Sequence, residues 1–182
     1  SLIATQNVDG LHEKASESED EGVVALHGRG DRVVCMQCGT VSCRLAYHEK
    51  LEKLNPDFAA TEDEAADIRP DADAEIAFDK TALSKFSVAP CSRCNGLIKP
   101  DVVFFGDFVP KSRVEACYAA LEASDGLLCA GTSLAVFSAF RFVDRAHKTQ
   151  KSICVVNKGP TRAELANIPH TKINASVDII DF

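Results

Sequence analysis

The sequence has no apolar run approaching ~18 residues, the length a helix needs to cross a bilayer, so no membrane partner is expected. Nor does it have a surplus of basic charge. Lys and Arg number 20 against 27 Asp and Glu, a net charge of −7, and no nucleic-acid partner held by bulk charge is expected. It has no internal repeat and no G-x-G-x-x-G: Gly28-Arg29-Gly30 leads into a strand rather than a helix, so the usual phosphate-cradling turn is missing. The N-terminus carries neither a signal peptide nor an Arg-rich transit peptide. The eight cysteines do not read as a disulfide framework. Four fall in two C-x-x-C pairs, while Cys43, Cys117, Cys129 and Cys154 lie singly in stretches such as "LLCAG" and "ICVVN". There a reduced cysteine acts as a small hydrophobe, and an intracellular setting is expected.

What is present suits one domain of ordinary size, with or without a small module: 182 residues, 46% of them apolar. Short β-branched runs alternate with longer helical stretches, the mark of an α/β fold with a parallel sheet. Strands are expected at 2–4, 23–26, 102–105, 126–130 and 152–156, and helices at 44–54, 112–123, 134–149 and 161–166. In the third helix Ala135, Ala139, Phe142, Val143 and Ala146 recur near helical spacing, so one face should be buried. Residues 32–96 break the alternation and read as an inserted module between 1–31 and 97–182. Its stretch from Asp57 to Asp79 holds nine carboxylates and one base, Arg69, and reads as a solvated loop.

The pairs "CMQC" (Cys35, Cys38) and "CSRC" (Cys91, Cys94) are the strongest local signal. Each sits on a turn, followed by Gly39 in one case and Asn95-Gly96 in the other, and 52 residues separate the pairs. Four thiolates brought together make a closed tetrahedral site for one structural Zn2+. Two redox dithiols fit less well, because the pairs are equivalent; an iron–sulfur group is also permitted by four cysteines.

Four strand ends carry polar or glycine-rich tips: Gln6–Asp9, His27, Gly131–Ser133 and Asn157–Gly159. In open α/β sheets ligands sit beyond the carboxyl ends of strands, and helix starts after two of these tips would offer free N–H groups. A lone His at a strand end is more often structural than catalytic; four such tips together make a ligand crevice the better reading.

The motifs "TQNVDGLH", "LHG", "CMQC", "CSRC", "LIKPDVVFFGD", "GTSL" and "VNKGPTR", in this order, resemble those of the sirtuins, NAD-dependent protein deacylases. "KPDVVFFGD", "NKGPTR" and the long module loop resemble the class II branch, of mitochondrial sirtuin 4 type. The resemblance implies a Rossmann-like sheet with an inserted zinc-ribbon module. It also implies an N-terminal Rossmann half, with its phosphate loop, that would precede "TQNVD" and is not in this sequence. Gln6, Asn7, Val8 and Asp9 would form the nicotinamide side of the NAD site, with Asn7 ordering the catalytic water. Gly131, Thr132, Ser133, Asn157, Lys158 and Gly159 would hold the adenosine half, and Val177 would close over adenine.

His27 would be the general base, taking a proton from a ribose hydroxyl as the acyl group passes to ADP-ribose and nicotinamide leaves. Val103 and Phe105 would line an acyl-lysine tunnel, and Gly106 and Asp107 would let the peptide substrate add as a strand. Mono-ADP-ribosyl transfer, or a catalytically impaired zinc-stabilised interaction module, are the alternative functions. The implied location is the mitochondrial matrix in a eukaryote and the cytoplasm otherwise. Three positions depart from the family pattern: Ala25 before "LHG", Ser16 after "HEKA", and Asn95 after the second pair.

Overall fold

The structure, a computed structural model, describes residues 1–15, 22–58 and 84–174. Ser16, Val177 and all but the start of the acidic stretch lie outside the described residues. Two compact units divide the chain: Ser1–Gly28 with Val103–Phe182, and Arg29–Val102.

The first unit is α/β with parallel strands. β1 (Ile3–Thr5) passes through the short α1 (Leu11–Ala15) and pairs in parallel with β2 (Val23–Ala25), Thr5 opposite Ala25. A second parallel set comprises three strands, here numbered β6 (Gly126–Ala130), β7 (Ser152–Asn157) and β8 (Thr171–Asn174), in that spatial order. The helices of this unit are α3 (Lys111–Glu122), α4 (Phe137–Lys148) and the single-turn α5 (Arg162–Leu165). Opposed residues fix the register, Cys129 to Val155 and Ala130 to Val156, then Val156 to Ile173. Because β6 to β8 run parallel, the tips of β6 and β7 emerge at one edge.

The core is built from the alternation of the strands and one stripe of each helix. Val155 of β7 and Val143, Ala146 and Ala163 of the helices are fully buried, with Cys129, Ile153, Leu121 and Leu134 around them. Burial pushes the thiols of Cys117 and Cys129 up to about 11, so both behave as apolar filler. Tyr118 packs edge-on against Phe142, their centroids 5.1 Å apart, tying α3 to α4.

The second unit contains a hairpin, β3 (Gly28–Cys35) with β4 (Val41–Cys43), and a third strand, β5 (Ile98–Val102), on the other side of β3. α2 (Arg44–Leu54) follows β4 directly. Asn55, at the end of α2, anchors the returning chain: its Oδ1 accepts from Ser87 N–H at 2.6 Å and its Nδ2 donates to Ser87 C=O at 2.9 Å. The Tyr47 hydroxyl adds a 2.8 Å bond to Ala89 C=O.

Two expectations need correction. The strand expected at 102–105 is β5, which ends at Val102; the chain then turns at Phe105 and Gly106, where φ is 93°. Strand pairing extends back through Pro100, which a reading based on apolar runs passes over. The helix expected from 134 begins at Phe137 instead. Leu134 takes a left-handed φ of 58°, its N–H bonded to Thr132 Oγ1 at 3.1 Å, so the helix cannot propagate through it. Ala135 is consequently exposed and outside the helix, while Ala139, Phe142, Val143 and Ala146 face the core as their spacing implies. Among the described residues no helix is long and apolar enough to cross a membrane.

Candidate active site and metal centre

In the first unit two pairs of residues distant in sequence meet at the strand tips. Thr132 Oγ1, after β6, donates to Gln6 Oε1, after β1, at 3.3 Å. His27, after β2, has Nε2 2.9 Å from Ser138 Oγ in the first turn of α4. The His27 carbonyl accepts the Val103 N–H at 2.9 Å, which places the 103–107 stretch beside it. His27 is half-buried; burial pushes its pKa below the ordinary 6.5, with a backbone hydrogen bond to Gln6 acting in the opposite direction. The ring is therefore neutral at neutral pH, the state a general base requires.

The rest of the tip geometry is local. Thr5 Oγ1 accepts from Asn7 N–H at 3.1 Å, and Asp9 Oδ1 accepts from Leu11 N–H at 3.0 Å, capping α1 and fixing the 6–10 turn. Asn7, Val8 and Asp9 are exposed and Gln6 half-buried. Gly131 N–H is spent on Val156 C=O and Ser133 C=O accepts from Arg162 N–H at 2.8 Å, so 131–133 is a turn locked between β7 and α5. It is not a helix N-terminus, contrary to expectation, because α4 begins at Phe137. Asn157 is buried, its amide donating to Lys158 C=O at 3.1 Å, and Gly159 C=O accepts from Lys172 Nζ at 2.8 Å. Of the expected substrate-binding residues, Val103 is half-buried, while Phe105, Gly106 and Asp107 are exposed, Phe105 by 88%. Val177 lies outside the described residues.

Ser138 escaped the sequence reading. Its signal is a small polar residue on the apolar stripe of α4, one turn before Phe142, where the hydroxyl needs a partner to be buried.

In the second unit the four cysteines converge. Their sulfurs all lie within 4.8 Å of one another, with Cys35 to Cys94 at 3.5 Å and Cys38 to Cys91 at 3.8 Å. Thiolates about 2.3 Å from a tetrahedral ion stand about 3.8 Å apart, so the cluster has the size for one such ion. All four are free thiols. Each pair is one turn of the same design. Gly39 N–H bonds Cys35 C=O at 3.0 Å and Asn95 N–H bonds Cys91 C=O at 2.9 Å; both turn residues are left-handed, φ 70° and 59°. Asn fills the second position because it tolerates that region. Gly96 is needed for space: a Cβ there would meet Gln37 Cβ at 2.7 Å and Cys35 Sγ at 2.9 Å. Hydrogen bonds from the Thr40 hydroxyl and backbone pull the Cys38 thiol down to about 6, and backbone N–H groups of Arg93 and Cys94 lower Cys91; Cys94, although a backbone hydrogen bond at Gly96 lowers it, is pushed up to about 12 by the Cys38 thiol and by desolvation, so a bound cation would have to displace its proton.

A parallel α/β unit with polar strand tips, joined to a four-cysteine module, defines a Rossmann-like α/β fold. The chain belongs to the Sir2 family, which residues 1–138 match. It is 44% identical to NAD-dependent protein deacetylase 1 of Streptomyces coelicolor, over 89% of this chain and 52% of that protein. It is 42% identical to NAD-dependent protein deacylase SIR4 of Monosiga brevicollis, again over 89% of this chain and 52% of that protein. The chain thus spans about half the length of the curated relatives it matches. Among solved structures, one described as Sir2 bound to acetylated peptide superposes with a TM-score of 0.67 at 23% identity, over 96% of this chain and 58% of that one. At that identity the likeness speaks for the fold alone.

Proposed function

We propose that this chain forms the His27-bearing part of an NAD-dependent protein-lysine deacylase, whose acyl group is transferred to ADP-ribose with release of nicotinamide. The observation that carries the reading is His27: a half-buried imidazole, kept neutral, at a strand tip beside the Gln6–Thr132 contact. The names of relatives more than 40% identical support it.

The polar tips fit a nucleotide. NAD supplies, when bound, an electrophilic ribose carbon and a ribose hydroxyl that can be deprotonated. Gln6, Asn7, Val8 and Asp9 bind its nicotinamide side, with Asn7 exposed to orient a water. Gly131, Thr132, Ser133, Asn157, Lys158 and Gly159 bind its adenosine side, the glycines letting backbone approach closely. His27 takes the hydroxyl proton at a ring nitrogen. Val103 and Phe105 offer apolar surface to the acyl chain, and Gly106 and Asp107, in the exposed turn that follows β5, offer backbone to the peptide. Zn2+ fits the four sulfurs, and with Cys35, Cys38, Cys91 and Cys94 all coordinated no position is left for water, so its role is structural.

The test is calorimetric titration of NAD into the 182-residue chain after its zinc content is measured, followed by assay of nicotinamide release with an acetyl-lysine peptide. Micromolar binding and peptide-dependent release are expected of the deacylase. A folded, zinc-loaded chain that binds no NAD is not itself the enzyme, and the enzyme reading of this chain fails.

A further inference from the structure

Packing does not hold Gly159 in the tip that follows β7. Lys158, Gly159 and Pro160 are exposed, Gly159 takes a φ of 87°, and nothing lies within 4 Å of where a Cβ on it would stand. Pro160 brings no N–H, and glycine loses more freedom on ordering than any other residue. A long side chain from the neighbouring strand reaches this tip. Lys172 of β8 stands opposite Val155 of β7, two positions before the register ends at Asn157 and Asn174. Its Nζ donates to Gly159 C=O at 2.8 Å and to Glu164 Oε1 at 2.6 Å. The other Glu164 oxygen accepts the N–H of Thr161, a residue 2% exposed. Tip, ammonium, carboxylate and buried backbone thus form one chain of hydrogen bonds. A strand lysine ordinarily leaves its charged head in water, whereas the Lys172 side chain is only 20% exposed.

We propose that Lys172 is a positioning residue for the nucleotide: it fixes the Gly159 carbonyl, and with it the 157–159 tip, in the arrangement that receives the adenosine side. The proposal rests on the reading of that tip as part of the NAD site. Lys172 acts by removing alternative backbone arrangements of the tip. A tip that is competent only about one-tenth of the time binds roughly tenfold more weakly, whatever contacts it makes once bound. Among the described residues Lys172 bonds only Gly159 and Glu164, so its loss should fall on nucleotide binding and spare both His27 and the 103–107 stretch. Methionine keeps the apolar stem and loses the donor; arginine keeps both donors and charge.

Calorimetric titration of ADP-ribose, with turnover measured as NAD and acetylated peptide are varied separately, reads the effect. K172M is expected to raise Kd for ADP-ribose and KM for NAD roughly tenfold, with kcat and the peptide KM unchanged, a split that general loosening of the sheet would not give. K172R should recover most of the loss. E164Q, which leaves the Lys172 bond to Gly159 in place, should stay within about twofold of wild type. Unchanged affinity in K172M overturns the proposal, and so does an E164Q loss as large as that of K172M. The wild type carries its own check, should no variant fold. In 1H–15N spectra of the lysine ammonium groups, Lys172 should exchange with water more slowly than Lys111, whose side chain is 90% exposed; equal rates overturn the proposal. A wild type that binds ADP-ribose yet releases no nicotinamide removes the reading of His27 as base and leaves the clamp standing. One that binds no ADP-ribose removes the adenosine site and the clamp with it.

Discussion

The cysteine cluster and the strand-tip site are built by opposite routes. Each cysteine pair is set by three residues of spacing and one left-handed turn, so half of the metal site is written in four consecutive residues, twice. The contacts at the strand tips, Gln6 with Thr132 and His27 with Ser138, join residues 126 and 111 apart and exist only once the sheet and α4 are in place. The first design ties function to folding, because the ligands are themselves the core of their unit: Cys35 and Cys91 are buried. The second separates them, because its polar groups rest on a core made by other residues. Substitutions in the two regions should therefore fail differently.

The largest effect is expected in the cluster. Cys91→Ser removes one of four ligands where structural zinc contributes on the order of 10 kcal/mol, so both zinc content and the thermal transition of the second unit should be lost. Zinc stoichiometry unchanged from wild type, measured by atomic absorption, would contradict a four-thiolate site. His27→Ala comes next and should break the other way. Turnover falls by about 10²- to 10⁴-fold, the usual contribution of a positioned base, while the melting curve hardly moves. Because the folded pKa of His27 lies below 6.5, the wild-type acid limb should also lie below that value. An acid limb above it would place the controlling group elsewhere.

Leu134 tests the scaffold between these extremes. It is 2% exposed and left-handed, so Leu134→Ala loses core contacts worth about 3 kcal/mol while keeping the unfavourable φ. Leu134→Gly loses slightly more burial but regains about 1 kcal/mol of backbone strain. At an ordinary buried site glycine is the worse of the two; here urea midpoints should be nearly equal. A clearly less stable glycine variant would show that the turn after Thr132 is not strained.

How much could be read in advance follows the same division. The bounds of α2 and β6 match their sequence pattern, because each is a single uninterrupted run between clear breakers. The four cysteines and their turns were legible for the same local reason. β8 was not: Thr171-Lys172-Ile173-Asn174 alternates without an apolar run, and it is a strand because β7 offers it an edge. α4 was expected three residues early because spacing cannot register the Thr132 hydroxyl that turns Leu134 left-handed. The tip residues were legible as strand ends, yet their pairing was not, and Ser138 had no motif to announce it.

The weakest effect belongs to Glu164, which ties α5 to β8 near the Gly159 turn. Its Oε2 accepts from Thr161 N–H at 2.6 Å, its Oε1 from Lys172 Nζ at 2.6 Å, and the same ammonium reaches Gly159 C=O. The Lys172 bond, then the Thr161 backbone, hold the carboxyl below its ordinary 4.5. A depressed folded pKa means that the contribution is present above that value and is lost as pH falls through the lower, folded one. Glu164→Gln keeps the acceptor for Thr161 but removes the charge facing Lys172. It should lower the melting temperature slightly at neutral pH, since the pair is partly exposed. The gap from wild type should then close as the solution is acidified below 4.5. A gap that persists in acid would assign the effect to side-chain shape, and one that widens would reverse the sign argued for the carboxylate.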